Sequence, residues 1–316
     1  SSMQFNYQER LTMSKRAGIF ISMLLGAAAL TGCGEPLTGQ DEVAKKAVSA
    51  QAINTPVVSD ELRLYVFNCG QIRMNSVEAF GLSNDETDVR ELVVPCYVIE
   101  HPKGTLLWDG GLPSATAALP GWSPEVQGNS VRLDKTLAQQ LSNMKFDLNS
   151  FDYVAFSHIH FDHVGVANEV KNATWLVQEA DFDAAFLPEG APLGPAVEPD
   201  LLRELKNSET LKLNGDHDVF GDGRVRLISA PGHTPGHQVL LIDLQEYGPL
   251  VLSGDLYHFR FNRTQRRVPL FNVDADQTLA SMDKVESLVT EEEAQFWIEH
   301  DLALFNTLKI APDFYR

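Results

Sequence analysis

Residues His158 to His163 read His-Ile-His-Phe-Asp-His, so four side chains that can bind metal fall within six positions. They directly follow residues 151–157, a largely apolar run typical of a strand that leaves a hydrophobic core. A tight turn at the end of such a strand can aim imidazoles and a carboxylate at one small volume. Imidazole and carboxylate without thiolate suit zinc, and iron, cobalt and manganese are also compatible. The segment therefore predicts a metal site.

The composition of the 316-residue chain is that of a globular protein, with 44% hydrophobic and 22% charged residues. Its formal net charge of −18 disfavours nucleic acid as a partner, because such binding depends on Lys and Arg that neutralise phosphates. The same charge gives a weak bias towards neutral or cationic small substrates. We therefore expect a small-molecule ligand and no nucleic-acid partner.

The N-terminus predicts export. Lys15 and Arg16 precede the apolar run 17–30, which is followed by Thr-Gly-Cys33, and this run is short for a membrane-spanning helix. The Leu-Thr-Gly-Cys33 sequence resembles the bacterial lipobox, whose cysteine becomes the lipidated first residue of the mature protein. We interpret residues 1–33 as a signal peptide with a lipobox. The expected product is a bacterial lipoprotein, periplasmic or anchored in the outer membrane through Cys33; the alternatives are a plain signal peptide and a buried helix.

The rest of the chain divides into a tether and a domain. Residues 34–58 are rich in small and polar residues and predict a flexible tether, and residues 59–316 predict a single domain. Cys69 and Cys96 each lie in an apolar segment of that domain. Two cysteines do not form a disulfide framework, so two buried thiols and one bridge fit the sequence equally well.

Strand and helix patterns alternate through the domain, which predicts an α/β fold with helices outside packed sheets. A capping box of Asp274 and Gln277 is expected to open a late helix with Met282 and Val285 on its buried stripe. The proline-containing segment 187–200 predicts a loop that borders a site. The other predicted helices are 133–144 and 179–186, and the predicted strands are 62–67, 92–100, 105–108, 151–157, 175–178, 225–228, 238–244, 250–252 and 295–298.

Three later segments each place a metal-binding side chain just past the end of a predicted strand. His233 follows the strand at Val225, Asp255 follows 250–252 and His300 follows 296–298. Glycines beside His233 and Asp255 allow the backbones to approach closely. A buried carboxylate without a cation is costly, and a metal ion removes that cost.

These motifs together resemble the metallo-β-lactamase superfamily. The motifs are the H-x-H-x-D-H segment, Gly-His-Thr-Pro-Gly-His at 232–237, Ser-Gly-Asp at 253–255 and the late His300. A fuller likeness is to the N-acyl homoserine lactonases of that superfamily, and it includes Val-Pro-Cys-Tyr-Val at 94–98 and Trp-Asp-Gly-Gly-Leu-Pro at 108–113. The likeness covers residues 62–316 in the same order, whereas the metal motif alone specifies only the superfamily.

The resemblance implies an αββα sandwich, the metallo-β-lactamase fold, with two divalent metal ions, zinc foremost, in a cleft at its edge. It assigns the ligands as His158, His160 and His233 for the first ion, Asp162, His163 and His300 for the second, and Asp255 as the bridge. Asp109 is expected to hold the metal-binding loop through hydrogen bonds. His237, His217 and His101 are expected to be supporting or packing residues.

The activity that the resemblance implies is hydrolysis of N-acyl homoserine lactones, the quorum-quenching reaction. A metal-bound hydroxide would attack the lactone carbonyl, and Asp162 would pass the proton to the departing alkoxide. The lactonases carry a tyrosine three positions after the bridging Asp, where this chain has His258. We expect a local bulge to bring Tyr257 in as the residue that stabilises the oxyanion, with His258 as the alternative.

The acyl chain of such a substrate requires an apolar wall. By position, Phe161 and Met74 are the foremost candidates, and Phe80 and Trp122 are weaker ones.

Two other functions are compatible with the same residues. A secreted arylesterase or organophosphate hydrolase would use the same hydroxide on esters or phosphotriesters. A metal-binding surface lipoprotein without activity would use only the ligands. The sequence leaves the oligomeric state undetermined, with a dimer among the options.

Overall fold

The computed structural model of the chain describes residues 61–188, 190–192 and 194–316. The predicted signal peptide with Cys33 and the predicted tether lie outside the described residues. Within the described part, no helix is long and apolar enough to cross a membrane.

The described residues form two β-sheets, and the first carries the segment that leads into the H-x-H-x-D-H motif. Its eight strands are β1 (Arg63–Met74), β2 (Glu91–His101), β3 (Gly104–Trp108), β4 (Asn129–Arg132), β5 (Tyr153–Ala155), β6 (Thr174–Gln178), β7 (Thr210–Leu213) and β13 (Phe314–Tyr315). Their order is β13-β1-β2-β3-β5-β6-β7, and β4 also pairs with β1. Strands β3, β5, β6 and β7 are parallel, so their C-terminal ends lie at one edge of the sheet.

The second sheet has five strands in the order β12-β11-β10-β9-β8. These are β8 (His217–Asp218), β9 (Val225–Ser229), β10 (Gln238–Leu244), β11 (Gly248–Leu252) and β12 (Gln295–Trp297). Strands β9 and β11 are both antiparallel to β10, and β12 is parallel to β11. Consequently β9, β11 and β12 run in one direction and end at the same edge.

Alternation along the strands builds a core on each face of the sheets. In β10, Leu240 and Ile242 join the apolar cluster between the sheets, whereas Leu241 packs with Met282 of the long late helix on the outer face. In β3, Leu106 likewise faces the inter-sheet cluster. The outer face of the first sheet is covered by short helices and loops. This arrangement is the predicted αββα sandwich.

The described residues form five α-helices: α1 (Leu137–Leu141), α2 (Glu179–Ala185), α3 (Arg260–Gln265), α4 (Ala275–Glu291) and α5 (Leu302–Phe305). The Asp274 side chain caps α4 by accepting a hydrogen bond from the Gln277 backbone N–H at 2.9 Å. The reciprocal half of the predicted capping box does not form. The Asp274 N–H instead donates to the Gly232 carbonyl at 2.9 Å, which ties the start of α4 to the loop that carries His233.

A buried disulfide joins β1 and β2 through Cys69 and Cys96. This bridge decides between the two states that the sequence allowed. The carbonyl of Cys69 accepts a hydrogen bond from the Leu112 N–H at 3.0 Å, so the disulfide lies directly under the Asp-Gly-Gly turn that follows β3. A Cβ on Gly111 would collide with Cys69, which explains the glycine at this position, where φ is +65°.

We expect a Cys69→Ala/Cys96→Ala variant to be less stable than the wild type by roughly 3 to 4 kcal/mol, because the bridge closes a loop of 27 residues in the unfolded chain. Urea unfolding of both proteins, each with and without a reductant, measures this difference. Reductant should bring the wild type to the stability of the variant and leave the variant unchanged. Equal stability of the oxidised proteins would contradict the prediction.

Candidate metal centre

Four loops bring the predicted ligands to one place because each loop follows a strand that ends at the same edge of its sheet. The H-x-H-x-D-H segment follows β5, and the loops with His233, Asp255 and His300 follow β9, β11 and β12. All seven side chains are buried, with at most 7% of any residue exposed. They are His158, His160, Asp162, His163, His233, Asp255 and His300.

The first group of ligands consists of three imidazoles and one carboxylate oxygen. The Nε2 atom of His233 lies 3.1 Å from Nε2 of His158 and 3.1 Å from Nδ1 of His160. The Oδ2 atom of Asp255 lies 3.2 Å from His233 Nε2 and 3.5 Å from His158 Nε2. The four ligand atoms all fall within 4.8 Å of one another, which is the spacing of donors around one ion.

The second group lies on the other side of the same carboxylate. The Oδ1 atom of Asp255 is 3.3 Å from His163 Nε2 and 2.9 Å from His300 Nε2. Asp162 adds its Oδ2 at 3.7 Å from His163 Nε2 and 3.9 Å from His300 Nε2. The structure thus brings all seven predicted residues together as two groups that share Asp255.

The chemistry of these donors fits two divalent cations. Among the described residues, Nε2 of His163 and Oδ1 of Asp255 are buried without any hydrogen-bond partner. Leaving such polar atoms unsatisfied costs about 1 to 3 kcal/mol each. A cation between the facing nitrogen and oxygen atoms would satisfy both sides, and nitrogen and oxygen donors of this kind suit zinc and its neighbours.

Burial and neighbouring charges set the protonation of the cluster. Burial lowers the pKa of His158 and His160 well below the ordinary value for histidine, and adjacent imidazoles lower it further. Burial alone would raise the pKa of Asp255, but the surrounding imidazoles hold it well below its usual range. Burial alone would lower the pKa of His163 and His300, but the Asp255 carboxylate raises it, so these two would release protons when a metal ion binds.

Asp109 makes the hydrogen bonds that were expected of it. Its Oδ1 accepts from the Ser157 backbone N–H at 2.6 Å, and its Oδ2 lies 3.1 Å from Nδ1 of His163. The residue has a φ of +56°, in the left-handed region that non-glycine residues rarely adopt. These contacts fix the ring of His163 with its Nε2 towards Asp255.

His237 and Gly254 position Asp255 from behind. The Asp255 N–H donates to Nε2 of His237 at 2.9 Å, and Nδ1 of His237 donates to the Ala230 carbonyl at 3.0 Å. A Cβ on Gly254 would lie 2.8 Å from His237 Nε2, so only glycine allows this approach. His237 is therefore a supporting residue, and it does not face the ligand groups with a free nitrogen.

The other two histidines outside the cluster have structural surroundings. His101 is buried and stacks on Phe220 with ring centroids 4.1 Å apart. His217 lies in the short edge strand β8.

Sequence reasoning missed two residues that hold His233. The Oδ1 atom of Asn272 lies 2.8 Å from Nδ1 of His233 and orients that ring. Asp181 of α2 is a buried carboxylate that accepts from the Thr234 hydroxyl at 2.8 Å and the Gly236 N–H at 2.6 Å, and burial raises its pKa to about 6. Neither residue belongs to a recognisable motif, so only the folded chain reveals them.

The structure corrects the prediction that Tyr257 lies at the metal centre. The Tyr257 hydroxyl donates to Glu286 of α4 at 3.0 Å, and its ring packs against Phe296 in the outer core of the second sheet. Tyr257 has an extended backbone, with φ −142° and ψ 134°, so the side chain of the next residue points the opposite way. His258 is therefore the residue at the cluster, with Nε2 2.9 Å from Asp255 Oδ2.

The structure places the residues predicted to line the substrate pocket in different surroundings. Phe161 is partly buried between the ligands, and its N–H donates to the Ala196 carbonyl at 3.0 Å, so the 187–200 loop borders the ligand segment as expected. Met74 is only 2% exposed and packs with Leu92 in a small core that Phe80 also contacts, so its assignment to the pocket stays a prediction. Phe80, the weaker candidate, contacts His258, with ring centroids 4.9 Å apart.

Trp122, the other weak candidate, lies beneath the guanidinium of Arg73, which is 4.1 Å from the ring centroid. Phe271 was not predicted from the sequence. Its ring lies 5.7 Å from that of His233 and 5.3 Å from that of Phe80. Phe80 and Phe271 thus form an aromatic wall beside the first group of ligands.

Comparison with known proteins agrees with this geometry. Residues 89–292 match the family model described as the metallo-beta-lactamase superfamily. The chain belongs to this superfamily. It is 30% identical over 261 residues to the N-acyl homoserine lactonase AttM of Azorhizobium caulinodans, an alignment that covers 81% of this chain and 99% of that protein. Membership of the superfamily and the two ligand groups identify the chain as a metal-dependent hydrolase.

Solved structures of other proteins share the fold. One, described as a quorum-quenching N-acyl homoserine lactone hydrolase, superposes with a TM-score of 0.68 at 23% identity, covering 81% of this chain and 99% of the other. Another, of an N-acyl homoserine lactone hydrolase with N-hexanoyl-L-homoserine bound at its catalytic metal centre, gives 0.67 at 23% identity, with 81% and 100% covered. At this identity the likeness establishes the fold only.

We expect Asp109→Asn to weaken the binding of one of the two metal ions by about tenfold to a hundredfold, because the amide cannot accept from both Ser157 and His163 as the carboxylate does. Competition with a chelator, followed by measurement of bound metal, gives the two affinities. Asp183→Asn is the matched control, because Asp183 lies on the exposed side of α2. Unchanged affinities in Asp109→Asn would contradict the role of Asp109.

Proposed function

We propose that the chain opens the lactone ring of N-acyl homoserine lactones by hydrolysis and thereby quenches quorum signals. The observation that carries the proposal is the complete set of seven ligands in a chain that aligns with a lactonase, AttM, over 99% of that protein. Water adds across the ring ester, the bond between the carbonyl carbon and the ring oxygen breaks, and the product is an acyl homoserine with a carboxylate and a hydroxyl.

Two groups of residues would hold the metal ions. His158, His160 and His233 form one group, Asp162, His163 and His300 form the other, and Asp255 is shared between them. When bound, two divalent ions supply water with a pKa near 7 and an electrophile that polarises a carbonyl oxygen. Zinc is the proposed metal, with iron, cobalt and manganese as alternatives of similar ligand preference.

Asp162 is the proposed proton carrier. Its side chain is 10% exposed, whereas the side chain of Asp255 is 4% exposed, so Asp162 is the carboxylate of the centre that is more open to substrate. Its Oδ2 faces His163 and His300, which leaves Oδ1 to take a proton from the attacking water and give it to the ring oxygen as that oxygen departs.

The apolar side chains near the centre support an acyl substrate. Phe80 and Phe271 flank His258 and His233, and Phe161 lies within the ligand segment beside the 187–200 loop. Aromatic and apolar walls with a few polar groups are typical of small-molecule sites. We assign the acyl chain to this wall.

We also infer that the protein is exported as a lipoprotein with its lipid on Cys33. The Cys69–Cys96 disulfide supports export, because disulfides persist in oxidising compartments such as the periplasm. Growth of the bacterium with radiolabelled palmitate tests this inference. Label in the wild type and none in Cys33→Ser is the expected result, and an unlabelled wild type would refute it.

We expect the purified protein to release protons from both short- and long-chain acyl homoserine lactones, and Asp162→Asn to lower kcat by about a hundredfold or more, because it removes the proton carrier. The assay follows proton release with a pH indicator and metal content by mass spectrometry on the same samples. Asp183→Asn is again the control and should match the wild type.

Two results would favour the other functions. Rapid hydrolysis of an aryl ester or a phosphotriester without ring opening of any lactone would support an arylesterase or organophosphate hydrolase. Two bound metals without hydrolysis of any ester, phosphotriester or lactone would support a metal-binding surface lipoprotein.

A further inference from the structure

We propose that His258 is an eighth ligand of the metal centre, beside the carboxylate of Asp255 that the two groups share. The proposal rests on the metal-dependent function but not on the choice of lactone as substrate. It gives this chain an imidazole at a position where the lactonases that it resembles carry a tyrosine.

His258 contacts Asp255 in the same way as the predicted ligand His300 does. Nε2 of His258 lies 2.9 Å from Oδ2 of Asp255, and Nε2 of His300 lies 2.9 Å from Oδ1 of the same carboxylate. The donor atoms of Asp255, His258 and His300 all fall within 4.8 Å of one another. Each oxygen of the bridging carboxylate therefore has an imidazole nitrogen at the same short distance.

Packing fixes the ring of His258 in this orientation. The residue is 3% exposed, and its ring stacks on that of His300 at an interplanar angle of 20°. Phe80 and Phe271 contact the ring edge-on, with centroids 4.9 and 5.6 Å away. These three rings hold His258 so that Nε2 points at the centre.

The second nitrogen of His258 differs from those of its neighbours. Nδ1 of His233 meets Asn272 and Nδ1 of His300 meets the Val93 carbonyl, whereas Nδ1 of His258 is buried without a hydrogen-bond partner in the described part of the chain. No protein group thus anchors the ring through Nδ1. Its position depends on aromatic packing and on what lies at Nε2, so replacing it should alter the metal centre more than the fold.

The difference between a histidine and a tyrosine at position 258 concerns the atom offered to the metal ion. A neutral imidazole is a good ligand for zinc or cobalt at neutral pH, whereas a protonated phenol is a poor one. A histidine at this position therefore gives one metal ion an additional nitrogen donor that a tyrosine does not supply. We expect that ion to be held more tightly than it would be without His258.

The test compares the wild type with His258→Ala and His258→Gln, each loaded with cobalt. Glutamine keeps an N–H that can donate to Asp255, but its amide is a poor ligand, so the pair separates coordination from hydrogen bonding. Visible absorption reports the cobalt coordination, and chelator competition with metal analysis gives the affinity of each site. His217→Ala is the control, because His217 lies in β8 outside the cluster.

Both His258 variants should bind one cobalt ion about a hundredfold more weakly, a loss at least as large as that from removing a supporting residue, and the absorption of that ion should change. His217→Ala should match the wild type. Melting temperatures of the metal-free proteins should agree, which shows that the variants fold.

Two results would overturn the proposal. Wild-type affinity and spectrum in His258→Gln would show that His258 only donates a hydrogen bond to Asp255, and unchanged values in both variants would show that it does not act on the metals. The readouts also separate this inference from the proposed function. If the variants lose metal affinity but the wild type hydrolyses no lactone, His258 is a ligand and the proposed lactonase activity is refuted. If the wild type hydrolyses lactones but the variants keep their metal affinity, the lactonase activity stands and the ligand role of His258 is refuted.

Discussion

The carboxylate of Asp255 is the contact on which the site depends, because its two oxygens face separate sets of imidazoles. A carboxylate buried this deeply is costly unless positive charge lies on both sides. Its backbone is fixed by the bond to His237 and by the close approach at Gly254. The surrounding residues thus fix the position of Asp255 as well as bringing the predicted ligands together. They hold one anion between two sets of imidazoles, where a cation on each side would compensate its charge.

The direction of the strands is what brings the residues around Asp255 together. Strands β3 and β5 of one sheet and β9, β11 and β12 of the other end at a common edge, so short loops suffice to bring distant segments together. The disulfide belongs to the same scheme, since the turn with Asp109 rests on Cys69. Stability of β1 and β2 and orientation of His163 are therefore linked through a few residues of backbone.

Sequence patterns predicted nine of the thirteen strands in the described residues and missed the short strands β4, β7, β8 and β13, while the family resemblance named the seven residues that the structure brings together. Alternating apolar runs mark the strands, and metal-binding side chains directly after them mark the site. The sequence was insufficient where one backbone angle decides the outcome. The extended conformation of Tyr257 sends its ring to α4 and brings His258 to Asp255, so the three-residue spacing held and the expected bulge did not form. Likewise, Asp181 and Asn272 act through tertiary contacts, and a lone polar residue gives no signal of such a role.

The wrong prediction for Tyr257 and the missed Phe271 both concern the wall beside the ligands, and this has a physical reason. A metal ion demands particular donor atoms at particular distances, so residues that a family likeness names as ligands have to lie together, as the seven do here. The wall beside the ions is constrained only by shape and polarity, which many residue combinations satisfy. Here that wall contains Phe80, Phe271 and His258; the sequence had named Phe80 and His258 as second choices behind Met74 and Tyr257, and it had missed Phe271. The ligands set which reaction the centre supports, and in the wall His258 stands where the lactonases that the chain resembles carry a tyrosine.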